Sequence, residues 1–314
     1  MGTEMDEEFC WKEWTEELSE PSGADHDRLA AAGEIQEGLK NIEACRYCNI
    51  LPYDRTLARL VPLPTPQEWQ APYINASTVT LAETPGKRYI ISQAPRDDPV
   101  DFWRLVLSNQ VETIVALAKI EQGYSGCSDY FPKDMAAPAR TFHTDATREH
   151  TIIVRLVEPP RSIVEGLEER KFDVSHYSSA VQDNSAPTLS TKRVHHFHYK
   201  NWPNYGVPTA TGAVRALVHS IIERQNSRQP QASVLVHCSG GVGRSGVFLT
   251  LLAAMQNSVP EARPSSIVPI VNQLRSQRHP WCVETFEQYK FCYQALMEEW
   301  DGWSPTNKFN QKKK

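Results

Sequence analysis

The chain has 314 residues, a formal charge of −5 and 40% hydrophobic residues, with eight Trp, eleven Tyr and ten Phe. That is enough apolar and aromatic material for a sizeable core, in one large domain or two small ones. An acidic balance argues against a general nucleic-acid binder, whose footprint is a basic excess, and no run of about eighteen apolar residues is present to span a membrane.

Taken in order, residues 1–24 mix charge, Ser, Pro and Gly with a few Trp. The spacing predicts a helix over Glu7 to Leu18 inside this extension. Ala, Glu and Leu at helical spacing predict a second helix over Asp25 to Leu39, with Asp25 as its N-cap. Pro52, Pro62, Pro64 and Pro66 force extended, loop-like chain. Short aromatic and β-branched runs predict strands at Tyr73 to Ser77 and Tyr89 to Ser92. Asp97, Asp98 and Pro99 open a helix that runs to Gln110. Further strands are predicted over Thr113 to Lys119, Ile152 to Val157 and Arg193 to His198, the last two separated by a polar hairpin or loop. The helices that follow are Thr209 to Arg224, Gly246 to Gln256, Ser266 to Gln277 and Phe286 to Trp300. No repeat and no long linker divides the chain, and strands and helices interleave without strict alternation. The expected fold is a single α/β domain with a twisted mixed sheet flanked by helices.

The most informative stretch is Ala232 to Ser245. Ser233 to Val236 reads as a buried strand, Cys238 follows, and a turn carries Gly240, Gly241 and Gly243 into Arg244, Ser245 and a helix. Strand, glycine turn and helix N-terminus together form an anion cradle, because glycine lets successive N–H groups point inward and the helix dipole adds favourable potential. A cysteine at the mouth of that cradle has a lowered pKa. Arg244 offers a planar fork to two phosphate oxygens. A cysteine among valines and glycines is ordinarily a small buried hydrophobe, but here every flanking position is constrained as well. A nucleotide-type phosphate loop is excluded because no G-K-[ST] closes the turn.

His237-Cys238-Ser239-Gly240-Gly241-Val242-Gly243-Arg244-Ser245-Gly246 resembles the signature of the protein tyrosine phosphatases, cysteine phosphatases with a C-x5-R motif. The resemblance covers about Lys40 to Trp300. Arg46-Tyr47-Cys48-Asn49-Ile50-Leu51-Pro52-Tyr53-Asp54 is similar to the substrate-recognition loop of the tyrosine-specific, non-receptor type. It implies that Tyr47 stacks on the substrate ring and Asn49 meets the substrate backbone. An aromatic wall also sets pocket depth, so phosphotyrosine reaches the thiolate while shorter phosphoserine does not. Tyr73 to Ser77, Tyr89 to Pro95 and Asp101 to Arg104 resemble framework segments, and Glu121-x-Gly123 to Pro132 resembles the segment flanking the family's mobile acid loop.

That loop is matched by Trp202-Pro203-Asn204-Tyr205-Gly206-Val207-Pro208, with a consequential departure. The family carries an aspartic acid where Asn204 stands, and that acid protonates the departing tyrosine oxygen, whose phenol pKa is about 10. Removing a general acid costs about 10²–10⁴-fold. Gly126 replaces a lysine that many members have, and Glu284 replaces the glutamine that positions hydrolytic water; Gln288, the second glutamine of that motif, is retained. Three readings follow: an engineered substrate trap, a natural slow or binding-only relative, or a site in which another carboxyl group such as Glu284 supplies acid–base function.

The implied mechanism is phosphotyrosine hydrolysis through a cysteinyl-phosphate intermediate. Cys238 attacks phosphorus, and Arg244 with the amides of Ser239, Gly240, Gly241, Val242, Gly243 and Arg244 holds the equatorial oxygens. Ser245 stabilises the thiolate, His237 supports the loop, and Gln288, with Glu284, places water. No cofactor and no metal is needed. Cys45-x-x-Cys48 has the spacing of a metal or redox pair but no second pair or nearby histidine. The alternative from another class is a phosphotyrosine-binding module with little turnover. A phosphoinositide phosphatase is the weaker third reading, because the cradle lacks extra lysines. The expected partners are phosphotyrosine-containing proteins in signal transduction, without nucleic acid; nothing indicates an oligomeric state. Seven cysteines, an odd and scattered set, imply a reducing compartment. With an acidic N-terminus and no secretory signal, this points to the cytoplasm. Asp6 argues against myristoylation after Met1-Gly2, and Lys312, Lys313 and Lys314 read as a solvated tail. The expected organisation is an extension over 1–24, a catalytic domain over 25–302 and a basic polar tail over 303–314.

Overall fold

The computed structural model describes residues 7–18, 20–60, 73–96, 98–121, 127–144, 150–178, 188–203, 206–227, 233–256 and 263–300. Asp97, Gly123, Gly126, Asn204, Tyr205 and the tail lysines, all singled out by sequence, lie outside the described residues.

Nine strands among the described residues form one mixed sheet. They are β1 (Ala76–Val79), β2 (Tyr89–Ser92), β3 (Val111–Ala116), β4 (Ala139–His143), β5 (His150–Leu156), β6 (Arg161–Val164), β7 (Leu167–Ser178), β8 (Thr188–Tyr199) and β9 (Ser233–His237). The order across the sheet is β1-β2-β9-β3-β8-β7-β5-β4, with β6 paired to β7. β9 runs parallel to both β2 and β3, and β3 parallel to β8, so the parallel strands lie at the middle of the sheet and the antiparallel ones outside. Alternation along β9 explains its place. Val234 and Val236 face one apolar layer and Leu235 the other, as expected of a central strand covered on both sides.

One face is covered by α4 (Val100–Ser108). The other is covered by α5 (Gly212–Asn226), α6 (Gly243–Met255), α7 (Val268–Gln277) and α8 (Phe286–Glu299). All thirteen residues of α6 are buried, which accounts for its apolar run from Val247 to Met255: it has no solvent face to present. The strand-to-α6 crossing therefore lies at the carboxyl end of a central parallel strand, where open α/β sheets bind ligands.

Several boundaries depart from the sequence reading. The helix expected over Asp25 to Leu39 is two, α2 (Ala24–Ala31) and α3 (Gln36–Lys40). Gly33 breaks it in the left-handed region (φ 72°), with the amides of Gly33 and Glu34 returning to the carbonyls of Ala30 and Leu29. Asp54, remote in sequence, then caps α3 by accepting from the amides of Gln36 and Glu37 at 2.9 and 3.0 Å. The first sheet strand runs Ala76–Val79 rather than Tyr73 to Ser77, and the Asn75 side chain before it bonds the Ile50 carbonyl and Arg278. The polar hairpin expected before Arg193 holds β6 and the twelve-residue β7, and β8 starts at Thr188. The predicted Glu7–Leu18 helix is present as α1 (Glu7–Lys12) continued by a wider π-type turn over Glu13–Leu18.

Candidate active site

The loop between β9 and α6 is shaped from outside by contacts to its carbonyl oxygens. The amide of Leu117 donates to the His237 carbonyl (2.9 Å) and that of Ala94 to the Ser239 carbonyl (2.8 Å). Arg278, fully buried, donates through Nη2 to the Gly240 carbonyl (3.1 Å) and through Nε to the Gly241 carbonyl (3.1 Å). With the carbonyls drawn outward, the amides turn inward, and the Gly241 N–H donates to Cys238 Sγ at 3.2 Å. Gly241 must be glycine: its φ is 71°, and a Cβ there would lie 2.2 Å from the Ser92 carbonyl oxygen. Arg278 also donates to Asn75 Oδ1 at 2.7 Å, and Asn75 Nδ2 donates to the Ile50 carbonyl at 2.7 Å. One buried guanidinium thus ties the cradle to the loop that carries Tyr47 and Asn49.

Cys238 is buried, and burial alone would push its thiol up. The Arg244 guanidinium, the Ser245 hydroxyl and the amides of Ser245 and Val242 outweigh this and hold it below the ordinary thiol value. The Ser245 hydroxyl, buried and with no other partner, acts on the sulfur as a donor. Arg244 Nη1 donates to the carbonyls of Leu117 (3.0 Å) and Trp202 (3.5 Å), which fixes the guanidinium and links it to the start of the Asn204 loop. Trp202 Nε1 in turn donates to the Gly206 carbonyl at 3.1 Å, joining the two sides of that loop.

His237 supports the loop from below. Its Nδ1 lies 3.3 Å from the Cys238 carbonyl, which only accepts, so Nδ1 is assigned the proton. Nε2 then accepts from the Tyr130 hydroxyl at 2.7 Å, and Tyr130 accepts from His196 Nε2 at 2.6 Å. Burial depresses both histidines, His237 to about 3, so the relay is neutral and structural. Sequence reasoning missed Tyr130 and Arg278, which act through contacts remote in sequence.

Tyr47 stands at the wall of the cradle, its hydroxyl 2.7 Å from Ser239 Oγ. A Cβ on Gly240 would meet Ile50 at 2.9 Å and the Tyr47 ring at 3.3 Å, so this loop packs directly on the cradle. Asn49 is half-buried, and its backbone hydrogen-bonds the buried His279 ring. On the opposite side, a Cβ on Gly243 would lie 2.8 Å from Glu284 Oε2 and 2.9 Å from Gln288 Nε2, so both side-chain heads converge on the cradle. Cys238, Ser239, Gly240, Gly241, Val242, Gly243, Arg244, Ser245, Tyr47, Glu284 and Gln288 are therefore brought together. Among the described residues no group of three or more His, Cys, Asp or Glu is placed to hold a metal ion. Cys45 is instead engaged with Tyr73, its Sγ 3.4 Å from the hydroxyl, while Cys48 is exposed.

A cysteine sulfur held beneath inward-facing amides at the end of a parallel strand is the layout of a cysteine-based anion site. A model of the protein-tyrosine phosphatase family matches residues 41–298, and the chain belongs to that family. It is 32% identical over 290 residues to receptor-type tyrosine-protein phosphatase V of Rattus norvegicus, covering 90% of this chain and 15% of that protein. It is 29% identical over 263 residues to tyrosine-protein phosphatase non-receptor type 20 of the same organism, covering 83% of this chain and 55% of that one. The chain thus spans between 15% and 55% of the length of these curated relatives. The Trypanosoma cruzi protein tyrosine phosphatase TcPTP1 shares the fold, with a TM-score of 0.72 at 21% identity over 93% of this chain and 90% of that chain.

Proposed function

We propose that this chain hydrolyses phosphotyrosine in proteins through a cysteinyl-phosphate intermediate. The observation that carries the reading is the Gly241 N–H directed at Cys238 Sγ, in a loop whose carbonyls are held outward. Cys238 is the nucleophile, and Arg244 with the amides from Ser239 to Arg244 holds the equatorial oxygens of the transferring group. Ser245 favours the thiolate. Tyr47 flanks the substrate ring and Asn49 its backbone. Gln288 and Glu284 place the hydrolytic water. Asn204 hydrogen-bonds the leaving oxygen but cannot protonate it, so turnover is attenuated unless another acid acts.

The catalytic unit extends over 25–302, with 1–24 as an extension and 303–314 as a tail. The substrates are phosphotyrosine-containing proteins of signal transduction, and the compartment is the cytoplasm; the seven cysteines, all free, support a reducing environment. No helix among the described residues is long and apolar enough to cross a membrane. Phosphate release from a phosphotyrosine peptide tests the activity: Cys238→Ser is expected to abolish it, and undiminished turnover in that variant rules the reading out. Asn204 favours one second reading, a phosphotyrosine-binding module. Stoichiometric, long-lived capture of phosphopeptide without phosphate release would establish it; steady-state turnover would exclude it.

A further inference from the structure

The Glu284 carboxyl is brought to the cradle by a segment built against its own preferences. Val283, β-branched and fully buried, has φ 55°, in the left-handed region that such residues avoid. The strained turn is held from three sides. Arg275 donates to the carbonyls of Cys282 (3.1 Å) and Val283 (3.3 Å), the Val283 amide presses on Gly246 where a Cβ would lie 2.6 Å away, and Thr285 caps α8 by accepting from the Gln288 amide. Gln288 Oε1 accepts from the Glu284 amide at 2.9 Å. That bond fixes the Gln288 side chain with its NH2 as the remaining polar group, beside Gly243 where the Glu284 carboxylate also converges. A donor and a carboxylate thus flank one point on the rim of the phosphate cradle, in a chain whose usual acid position holds Asn204.

We propose that Glu284 is the acid–base residue of both half-reactions, giving the leaving phenol oxygen the proton that it takes from the hydrolytic water. The proposal rests on the phosphatase reading above. In the first half-reaction Cys238 Sγ bonds to phosphorus, the bond from phosphorus to the tyrosine oxygen breaks, and the Glu284 proton passes to that oxygen. In the second, water oxygen bonds to phosphorus, the P–S bond breaks with its electron pair returning to sulfur, and the water proton passes to the Glu284 carboxylate. Attack and departure share the apical position opposite sulfur, so one group serves both steps. Each turnover restores protonated Glu284 and the Cys238 thiolate. Burial pushes the Glu284 carboxyl up, against the pull of Arg244, which supports a protonated form being available.

The test compares aryl phosphates with leaving phenols of graded acidity, for wild type, Glu284→Gln, Asn204→Asp and Cys238→Ser. Glu284→Gln keeps shape and the backbone contact to Gln288. It is expected to lower kcat/KM about 10²–10⁴-fold on phosphotyrosine and far less on nitro-substituted phenyl phosphates, steepening the leaving-group dependence. It is also expected to show a burst of phenol followed by slow phosphate release. Asn204→Asp is expected to restore a shallow dependence in the Glu284→Gln background. An unchanged leaving-group slope in Glu284→Gln, or a rise of about a hundredfold in the single Asn204→Asp variant, overturns the proposal while leaving the phosphatase reading intact. Equal activity of Cys238→Ser and wild type, or no phosphate release by wild type from any aryl phosphate, overturns both.

Discussion

Arg278 reaches Gly241 across 37 residues of chain, its Nε donating to the Gly241 carbonyl oxygen at 3.1 Å. The neighbouring bond, from Nη2 to the Gly240 carbonyl at 3.1 Å, sets the direction of the amide that serves Cys238, since the Gly240 C=O and the Gly241 N–H lie in one peptide plane and point opposite ways. The guanidinium is fully buried, and burial pulls it down from the ordinary arginine value. Its placement is sustained by acceptors at Gly240, Gly241 and Asn75.

Arg278→Met fills the same space without the donors. Three buried acceptors lose their partner, and each orphaned group costs about 1–3 kcal/mol, so a loss of at least about 3 kcal/mol is expected by urea unfolding. The Gly241 amide is also freed to tilt, which raises the Cys238 pKa. A variant with the wild-type unfolding midpoint and an unshifted thiol would show that the cradle holds its own shape.

Cys238 itself gives a pH prediction. Its folded pKa lies below the ordinary thiol value, and Arg244 is the first of the groups that lower it. Since the thiolate is the nucleophile, inactivation by iodoacetamide is expected at a pH where an unperturbed thiol is unreactive. In Arg244→Ala the profile moves to higher pH, and in Ser245→Ala it moves less far. The linkage sign follows: with the folded value depressed, the thiolate adds stability that is complete above the unfolded pKa and fades as pH falls through the folded one. Superimposable profiles for wild type and Arg244→Ala would remove Arg244 as the cause.

How far the site can be read from sequence depends on chain distance. The cradle is legible because Cys238, its glycines and Arg244 are neighbours, and Gly241 answers a local demand, its φ of 71°. Arg278 and Tyr130 act only through partners remote in sequence, Arg278 through Gly240, Gly241 and Asn75, and Tyr130 through His196 and His237. β7 is hidden for another reason. Glu168, Glu169, Arg170 and Asp173 read as part of a polar hairpin or loop, but in the sheet each charge meets a partner, Arg170 with Glu168 at 2.6 Å along the strand, and across strands Arg161 with Glu169 at 2.6 Å and Arg193 with Asp173 at 2.6 Å. Cross-strand partners supplied what composition seemed to deny.

Tyr47 separates stacking from hydrogen bonding. Tyr47→Phe loses the contact to Ser239 Oγ, 2.7 Å in the native protein, which is worth about 1 kcal/mol, and leaves the aromatic wall. Tyr47→Ala loses the wall, and about 0.5–1.5 kcal/mol of ring–ring attraction beyond the buried area. The expected outcome is a KM for phosphotyrosine peptide raised by several-fold in Tyr47→Phe at most and by more than about tenfold in Tyr47→Ala. Equal effects of the two variants would assign the residue to loop stability rather than to the substrate ring.

Glu13 extends the argument to the N-terminal segment. Its carboxylate is buried, at 4% exposure, and Oε2 accepts from the hydroxyls of Tyr289 (2.6 Å) and Tyr293 (2.5 Å), both on α8. Trp14 packs on Tyr289 with the rings tilted and 5.5 Å apart, and Arg275 lies 5.2 Å over the Trp14 ring while donating to the Leu18 carbonyl at 2.6 Å. Glu13→Ala strands two buried hydroxyls and is expected to cost about 2–4 kcal/mol, whereas Glu13→Gln keeps an acceptor and costs less. The same Arg275 holds the carbonyls of Cys282 and Val283, so loosening residues 7–18 weakens the restraint on the strained turn before Glu284. Glu13→Ala is therefore expected to lower phosphate release at a temperature where the protein remains folded. Full stability in Glu13→Ala would show that the segment is only laid against α8, and full activity with lowered stability would uncouple it from the turn at Val283.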